Sequence, residues 1–299
     1  MIQYHNPVLL KETLQGLKIQ PQGVYIDVTY GGGGHSRGII DKLNDKGRLY
    51  GFDQDADAYK NRIDDFRFEL IAANFSHLKQ YLKYYSVIEV DGILADFGVS
   101  SHQFNEGSRG FSIREEGRLD MRMNQSQDLD AYEVLNQYSV GALSKLFFNY
   151  GELRNSKKVA ELIVNTRIIS DIKTTKDLID LLKPLVPQRF KNSVLAKIFQ
   201  AIRIEVNDEL AVLKTFLEQA TEVLKPGGRI VCISYHSLED RLVKRFIKNG
   251  NFEGEEEKDF YGNSKSPLIK IGKLRVPSNE EIKINSRARS ARLRIAEKR

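Results

Sequence analysis

The chain has little reactive sulfur. Cys232 is the one cysteine in 299 residues, which excludes an internal disulfide framework and a zinc site built on cysteines. It sits in an apolar run and reads as a small buried hydrophobe. No apolar stretch reaches membrane-spanning length, and Met1-Ile-Gln-Tyr-His-Asn-Pro lacks the shape of a signal peptide, so a cytoplasmic protein with no membrane partner is expected. No Gly-x-x-x-x-Gly-Lys-Ser/Thr string occurs, which argues against a P-loop. The dinucleotide pattern Gly-x-Gly-x-x-Gly is also missing. Counting from Gly31 its third glycine would be Ser36, and counting from Gly32 it would be Arg37.

What is present is a nucleotide-type βαβ unit. A short β-branched run holding Asp27 enters four glycines, Gly31–Gly34. A helical pattern opens at His35-Ser36, and a second run, Arg48–Phe52, ends on Asp53. Glycines let the backbone approach a ligand, and a carboxylate about 20 residues on can hold a ribose. Asp27 just before the glycines is awkward for a pyrophosphate. It suits a ligand with a cationic end, such as the amino group of S-adenosylmethionine.

The alternation continues. Residues 54–66 read as a helix, Glu69–Ala73 as a strand, Phe75–Tyr84 as a helix, and Asp91–Phe97 as a strand carrying Asp96. This predicts an α/β fold with a parallel, Rossmann-like sheet covered on both faces. Ligands in such sheets bind beyond the carboxyl ends of strands. Gly31–His35, Asp53 and Asp96 all fall at such ends. Residues 105–203 break the pattern with a Gly/Arg-rich loop, Gly107–Arg122, and helices expected over Ala131–Asn149, Ser156–Ile169 and Thr175–Leu185. The expected organisation is a discontinuous domain, 1–104 and 204–299, with a helical insert at 105–203. Beyond the insert, a helix over Asp208–Leu224 should stop at Pro226-Gly-Gly and a strand should begin at Arg229. Ser237 should cap the next helix, the polar Gly250–Ser266 segment should be a mobile loop, and 268–276 and 290–296 should form edge strands.

The net charge of +6 is compatible with a nucleic-acid partner, and its distribution is more telling. Residues 286–299 hold Arg287, Arg289, Arg292, Arg294, Lys298 and Arg299 against the single acid Glu297. A second basic group contains Arg109, Arg114, Arg118 and Arg122. Polar groups also cluster at the ends of two later strands, as Asp96-Phe-Gly-Val-Ser-Ser and Ser234-Tyr-His-Ser, which makes Asp96 and His236 candidates for chemistry.

Eight strings in order give the chain a specific likeness: His5-Asn-Pro-Val-Leu-Leu-Lys-Glu12, Gly31-Gly-Gly-Gly-His-Ser36, Asp96-Phe-Gly-Val-Ser-Ser101, Arg109-Gly-Phe-Ser112, Leu119-Asp-Met-Arg-Met123, Phe199-Gln-Ala-Ile-Arg-Ile-Glu-Val-Asn207, Ser234-Tyr-His-Ser-Leu-Glu-Asp-Arg241 and Arg287-Ala-Arg-Ser-Ala-Arg-Leu-Arg294. Nearly end to end, the sequence resembles the bacterial ribosomal RNA small subunit methyltransferase H family, which methylates N4 of a cytidine in the decoding region of 16S rRNA. The resemblance implies a class I S-adenosylmethionine-dependent methyltransferase fold with an inserted helical domain that recognises RNA. It implies cofactor contacts at Gly33, Gly34, His35, Asp53, Phe75, Asp96 and Gln103. It also implies 16S rRNA, within the small ribosomal subunit or its precursor, as partner. From the two basic clusters, RNA contacts are expected at Arg109, Arg118, Arg122, Arg289 and Arg292, and no structural metal is expected. Three departures stand out: His102 and Arg118 where the family has proline, and Ser193-Val-Leu-Ala-Lys197 where it has a His-Pro-Ala-Thr-Arg-like string. The Asp/Asn/Ser-Pro-Pro-Tyr/Trp loop of many DNA amino methyltransferases is missing, so the base pocket must be built otherwise. Two other classes fit parts of the pattern, an NAD(P)-dependent oxidoreductase and a non-enzymatic rRNA-binding assembly factor.

Overall fold

The computed structural model describes residues 7–255, 258–262 and 264–299. His5 and Asn6 of the first string lie outside them, as do 256, 257 and 263 of the expected mobile loop. Two compact units are present, one made of the residues up to Gly98 together with Leu210–Arg299, the other of Val99–Glu209. The second unit begins earlier and ends later than the insert expected at 105–203. The reason is packing: Val206 belongs to its apolar core, and Val99 and Phe104 pack against that core.

Among the described residues the first unit is built on seven strands: β1 Val24–Asp27, β2 Arg48–Asp53, β3 Phe68–Ala72, β4 Val90–Asp96, β5 Leu224–Ser234, β6 Leu268–Arg275 and β7 Arg292–Lys298. Their spatial order is β3-β2-β1-β4-β5-β7-β6. The first five run parallel, and β7 pairs antiparallel with both β5 and β6. The sheet is therefore mixed, and β7 lies inside it while β6 forms the edge, which corrects the expectation of two edge strands. The apolar side chains along β7 explain its place. Leu293 and Ile295 pack on one face and Ala296 on the other.

Alternate residues feed two cores, as period-2 side chains must. Ile26, Phe52, Ile93, Ala95, Ile230 and Cys232 face Leu78, Leu82, Phe216 and Phe246. Tyr25, Leu49, Leu94, Val231 and Ile233 face Leu17, Ile39 and Ile40. Burial on both faces is why the strands read as nearly continuous apolar runs.

Three local expectations are corrected. Residues 54–66 form only a short 3-10 turn, Ala56–Asn61, because Ala58 is its one buried side chain and no apolar stripe supports a longer helix. The Ala131–Asn149 stretch is two helices, Ala131–Gln137 and Val140–Asn149. Extended backbone at Tyr138 separates them, and Ser139 caps the second. The helix Glu209–Val223 ends before Pro226, which lies within β5, since Leu224 already pairs with Val90 and the register shifts beyond it.

The second unit packs Ala131–Gln137, Val140–Asn149, Ser156–Arg167, Thr175–Leu182 and Lys191–Asn207 around Phe147, Ile163, Leu178 and Ile202. Asp130 caps the first of these helices, and Thr174 with Asp177 forms a capping box on the fourth. Among the described residues no helix is long and apolar enough to cross a membrane.

Candidate active site

Parallel pairing sets Asp27, Asp53 and Asp96 at the same end of the sheet. Asp27 sits opposite Gly51 on β2 and Leu94 on β4, and Asp53 and Asp96 end those two strands. Asp27 is buried and ties strand to helix. Its Oδ1 accepts the Thr29 N–H at 3.1 Å, and its Oδ2 accepts the Ser36 hydroxyl at 2.7 Å. Asp53 holds the glycine turn: Oδ2 accepts the Gly31 N–H and Oδ1 the Asp55 N–H, both at 2.8 Å. At Gly33 φ is +73°, and a Cβ there would lie 2.6 Å from the Tyr30 hydroxyl, so both backbone conformation and space demand glycine. The helix Gly34–Ile40 follows, with Gly34 close against Pro7.

His35 is buried, and its Nε2 lies 2.9 Å from the Val8 carbonyl. A carbonyl can only accept, so Nε2 carries a proton, and Nδ1 faces Asp96 Oδ2 at 3.7 Å. The other Asp96 oxygen, Oδ1, accepts the Tyr235 hydroxyl at 2.8 Å. The Asp96 backbone N–H donates to Thr29 Oγ1 at 2.7 Å, which fixes the strand end. His35 and Asp96 are both expected from the sequence, but their pairing is not, and Tyr235 is missed there. The one sequence signal for Tyr235 is adjacency to His236 at the end of a buried strand.

Burial dominates the electrostatics. It pushes Asp53 up to about 6, against the N–H groups of Asp55 and Gly31, with the charges of Asp55 and Asp27 adding to the rise. It also pushes Asp96 up to about 6, against His35 and the Tyr235 hydrogen bond, with Asp27 and Glu239 adding to the rise. Asp27 is raised for the same first reason. Three carboxyls crowded in a poorly solvated place favour a cation that would relieve them.

Phe75 is partly buried, its ring tilted on Phe97 and edge-on to Phe216 at 5.4 Å between centroids. Gln103 belongs to the second unit. Its side chain closes a capping box with Ser100 at the helix Ser101–Asn105. His236 also caps: it is the N-cap of Ser237–Asn249, with Glu239 completing the box, so the cap expected at Ser237 lies one residue earlier. A ring so placed, 3.1 Å from Glu239 Oε1, supports the helix start.

The basic residues divide. Arg109 is only 4% exposed, and its guanidinium donates to the Arg122 carbonyl at 2.8 Å. Arg122 chelates Asp120 through Nε and Nη2 at 2.9 and 2.7 Å. Both build the Gly107–Arg122 loop from within. Arg118 reaches Asp130 yet stays largely exposed, and Arg289 is exposed. Arg292 is half exposed beside Asp240, whose buried carboxylate is chelated by the partly buried Arg294.

The model of the MraW methylase family matches residues 2–299. The chain belongs to this family. Relatives named "Ribosomal RNA small subunit methyltransferase H" include one from Christiangramia forsetii, 57% identical over 100% of this chain and 99% of its own. Another, from Flavobacterium johnsoniae, is 58% identical over 99% and 98%, and one from Phocaeicola vulgatus is 52% identical over 99% and 98%. As an MraW methylase the chain is an S-adenosylmethionine-dependent methyltransferase, and its seven-stranded sheet with helices on both faces is the class I methyltransferase, Rossmann-like fold. The residues present fit that cofactor. The glycines let a ligand come close to the backbone, Asp53 stands where a carboxylate can hold a ribose, and Asp27 and Asp96 supply negative charge for a cationic end. Membership in the MraW family sets aside the oxidoreductase and the non-enzymatic assembly factor.

Proposed function

We propose that this protein methylates the N4 amine of a cytidine in the decoding region of 16S rRNA. The observation that carries this reading is Asp96, a strand-end carboxyl held between Tyr235 and His35 on the rim that the glycine turn shares. Support for the substrate comes from the relatives, whose name assigns them small-subunit rRNA. Gly33, Gly34, His35, Asp53, Phe75 and Asp96 would hold the cofactor, which when bound supplies an electrophilic methyl.

The chain's own task is to make a poor nucleophile competent. The lone pair of cytosine N4 is delocalised into the ring. A carboxylate that accepts N4–H localises that pair and keeps the amine in line. The amine gains a methyl and loses one proton, which Asp96 receives. Asp96 suits both roles, because a carboxyl raised to about 6 is ionised at neutral pH and is more basic than a solvated one. His35 Nδ1 lies 3.7 Å from Asp96 Oδ2, beside the receiving group. The helical unit and the exposed cations Arg118, Arg289 and Arg292 recognise the RNA backbone, and the target base must be unpaired or extruded, at about a few kcal/mol.

Mass spectrometry of 16S rRNA from cells with and without this protein tests the reading. The expected result is loss of one N4-methyl group from a decoding-region cytidine, restored by the purified enzyme and S-adenosylmethionine. An unchanged methylation pattern would refute it.

A further inference from the structure

We propose that Tyr235 is a positioning residue for methyl transfer: its phenol holds the Asp96 carboxyl in place and biases it to the anion that accepts the amine proton. This rests on the role of Asp96 proposed for the methylation itself.

The geometry is specific. A carboxylate only accepts, so the 2.8 Å contact between Tyr235 Oη and Asp96 Oδ1 uses the phenol proton. The two residues are 139 positions apart and meet because β4 and β5 are neighbours, Asp96 lying opposite Ile233. Both backbones are pinned. Asp96 N–H donates to Thr29 Oγ1, and Tyr235 N–H donates to Glu239 Oε2 at 2.9 Å. With Oδ1 engaged, Oδ2 is the oxygen turned toward His35 Nδ1.

The choice of a neutral donor has a physical reason. The charged and titratable groups facing Asp96 are His35 from the helix Gly34–Ile40, Asp27 from β1, Glu239 from the helix Ser237–Asn249, and Tyr235 itself. Two are acids that oppose a third negative charge. A lysine or arginine at 235 would overcome them but would also repel a cationic cofactor. A phenol stabilises the carboxylate without cancelling the negative charge that a sulfonium needs. Burial first, and then Asp96, push the Tyr235 hydroxyl well above its ordinary range, so it remains a donor throughout the working range of pH.

The test reads the carboxyl directly. Protein labelled with ¹³C at Asp carboxyls is titrated without cofactor, and the Asp96 signal is identified by its loss in Asp96→Asn. The native midpoint is expected near 6. In Tyr235→Phe it should rise by about one to two pH units, the usual worth of a hydrogen bond to a charged group. Single-turnover methylation of small subunits should follow: about tenfold slower near pH 6.5, and within about twofold of native near pH 9. A purely structural role would lower the rate at every pH and leave the midpoint in place. Should Tyr235→Phe fail to fold, 3,5-difluorotyrosine at position 235 keeps the shape and donates more strongly, and the midpoint should fall. A midpoint unmoved in the folded variants overturns the role of Tyr235, whatever Asp96 does. Full single-turnover activity of Asp96→Asn overturns the role of Asp96 instead, and the titration tells the two failures apart.

Discussion

Replacing Asp96 with asparagine should stabilise the cofactor-free protein while disabling it. In the fold the Asp96 carboxyl titrates near 6, against an ordinary value of 3.8, chiefly because burial disfavours its charge. A rise of that size corresponds to about 3 kcal/mol at most, and the side chain's 21% exposure reduces this to about 1–2 kcal/mol. The sign follows from linkage. The native state binds this proton more tightly than the unfolded chain, so the stabilisation is complete below pH about 4 and is lost as pH rises through about 6. Asparagine stays neutral at every pH. Its oxygen can accept from Tyr235 as the carboxylate does. Urea unfolding followed by circular dichroism should therefore show the variant equal to native near pH 4 and about 1–2 kcal/mol more stable near pH 8. Methyl transfer under single-turnover conditions should fall by roughly 10²-fold or more, the usual worth of a positioned electrostatic group. A variant that is less stable at pH 8, or no more stable there than at pH 4, would refute the electrostatic reasoning.

Other outcomes can be checked alongside. Gly33→Ala places a Cβ 2.6 Å from the Tyr30 hydroxyl at φ +73°, so it should cost about 1–3 kcal/mol and weaken cofactor binding; unchanged S-adenosylhomocysteine affinity by calorimetry would contradict this. Arg289→Ala combined with Arg292→Ala should weaken binding to small subunits and lower the salt slope by about 2, with cofactor affinity intact. Normal subunit binding by that double variant would remove both residues from the RNA interface. Asp240→Ala leaves the partly buried Arg294, with a side chain 13% exposed, without its carboxylate and should cost about 2–4 kcal/mol. A thermal midpoint within about 2 °C of native would exclude a structural role for that pair.

Much of the site was legible because it is local in sequence. The strand, glycine turn, helix, strand and acid of residues 24–53 each carry their own signature, and strand ends are where such sheets bind ligands. What escaped depends on partners far along the chain. Nothing in the residues around Asp96 points to Tyr235, because the neighbour relation of β4 and β5 makes that contact. Arg109 and Arg122 look like surface cations in a Gly/Arg-rich loop. Only the fold turns them onto Asp120 and loop carbonyls. The helix over 54–66 failed for the converse reason, since local composition permitted it while no core face stood ready to receive it. His236 rather than Ser237 opens the last long helix because the ring's Nδ1 reaches the Glu239 N–H, a geometry that capping statistics, favouring serine, do not weigh.

The interior position of β7 also shapes how the chain can be assembled. β5 is made well before β7, and β6 lies between them in the chain, yet in the sheet β7 lies between β5 and β6. Among the described strands β6 pairs only with β7, so until β7 is made β6 has no ladder and the edge of β5 that carries Val231 and Ile233 has no partner strand. Both antiparallel ladders run along β7, one on each flank, so a single late segment ties β6 to the rest of the sheet. The arginines along β7 fit this delay, because charge keeps an unpaired strand dissolved while it waits.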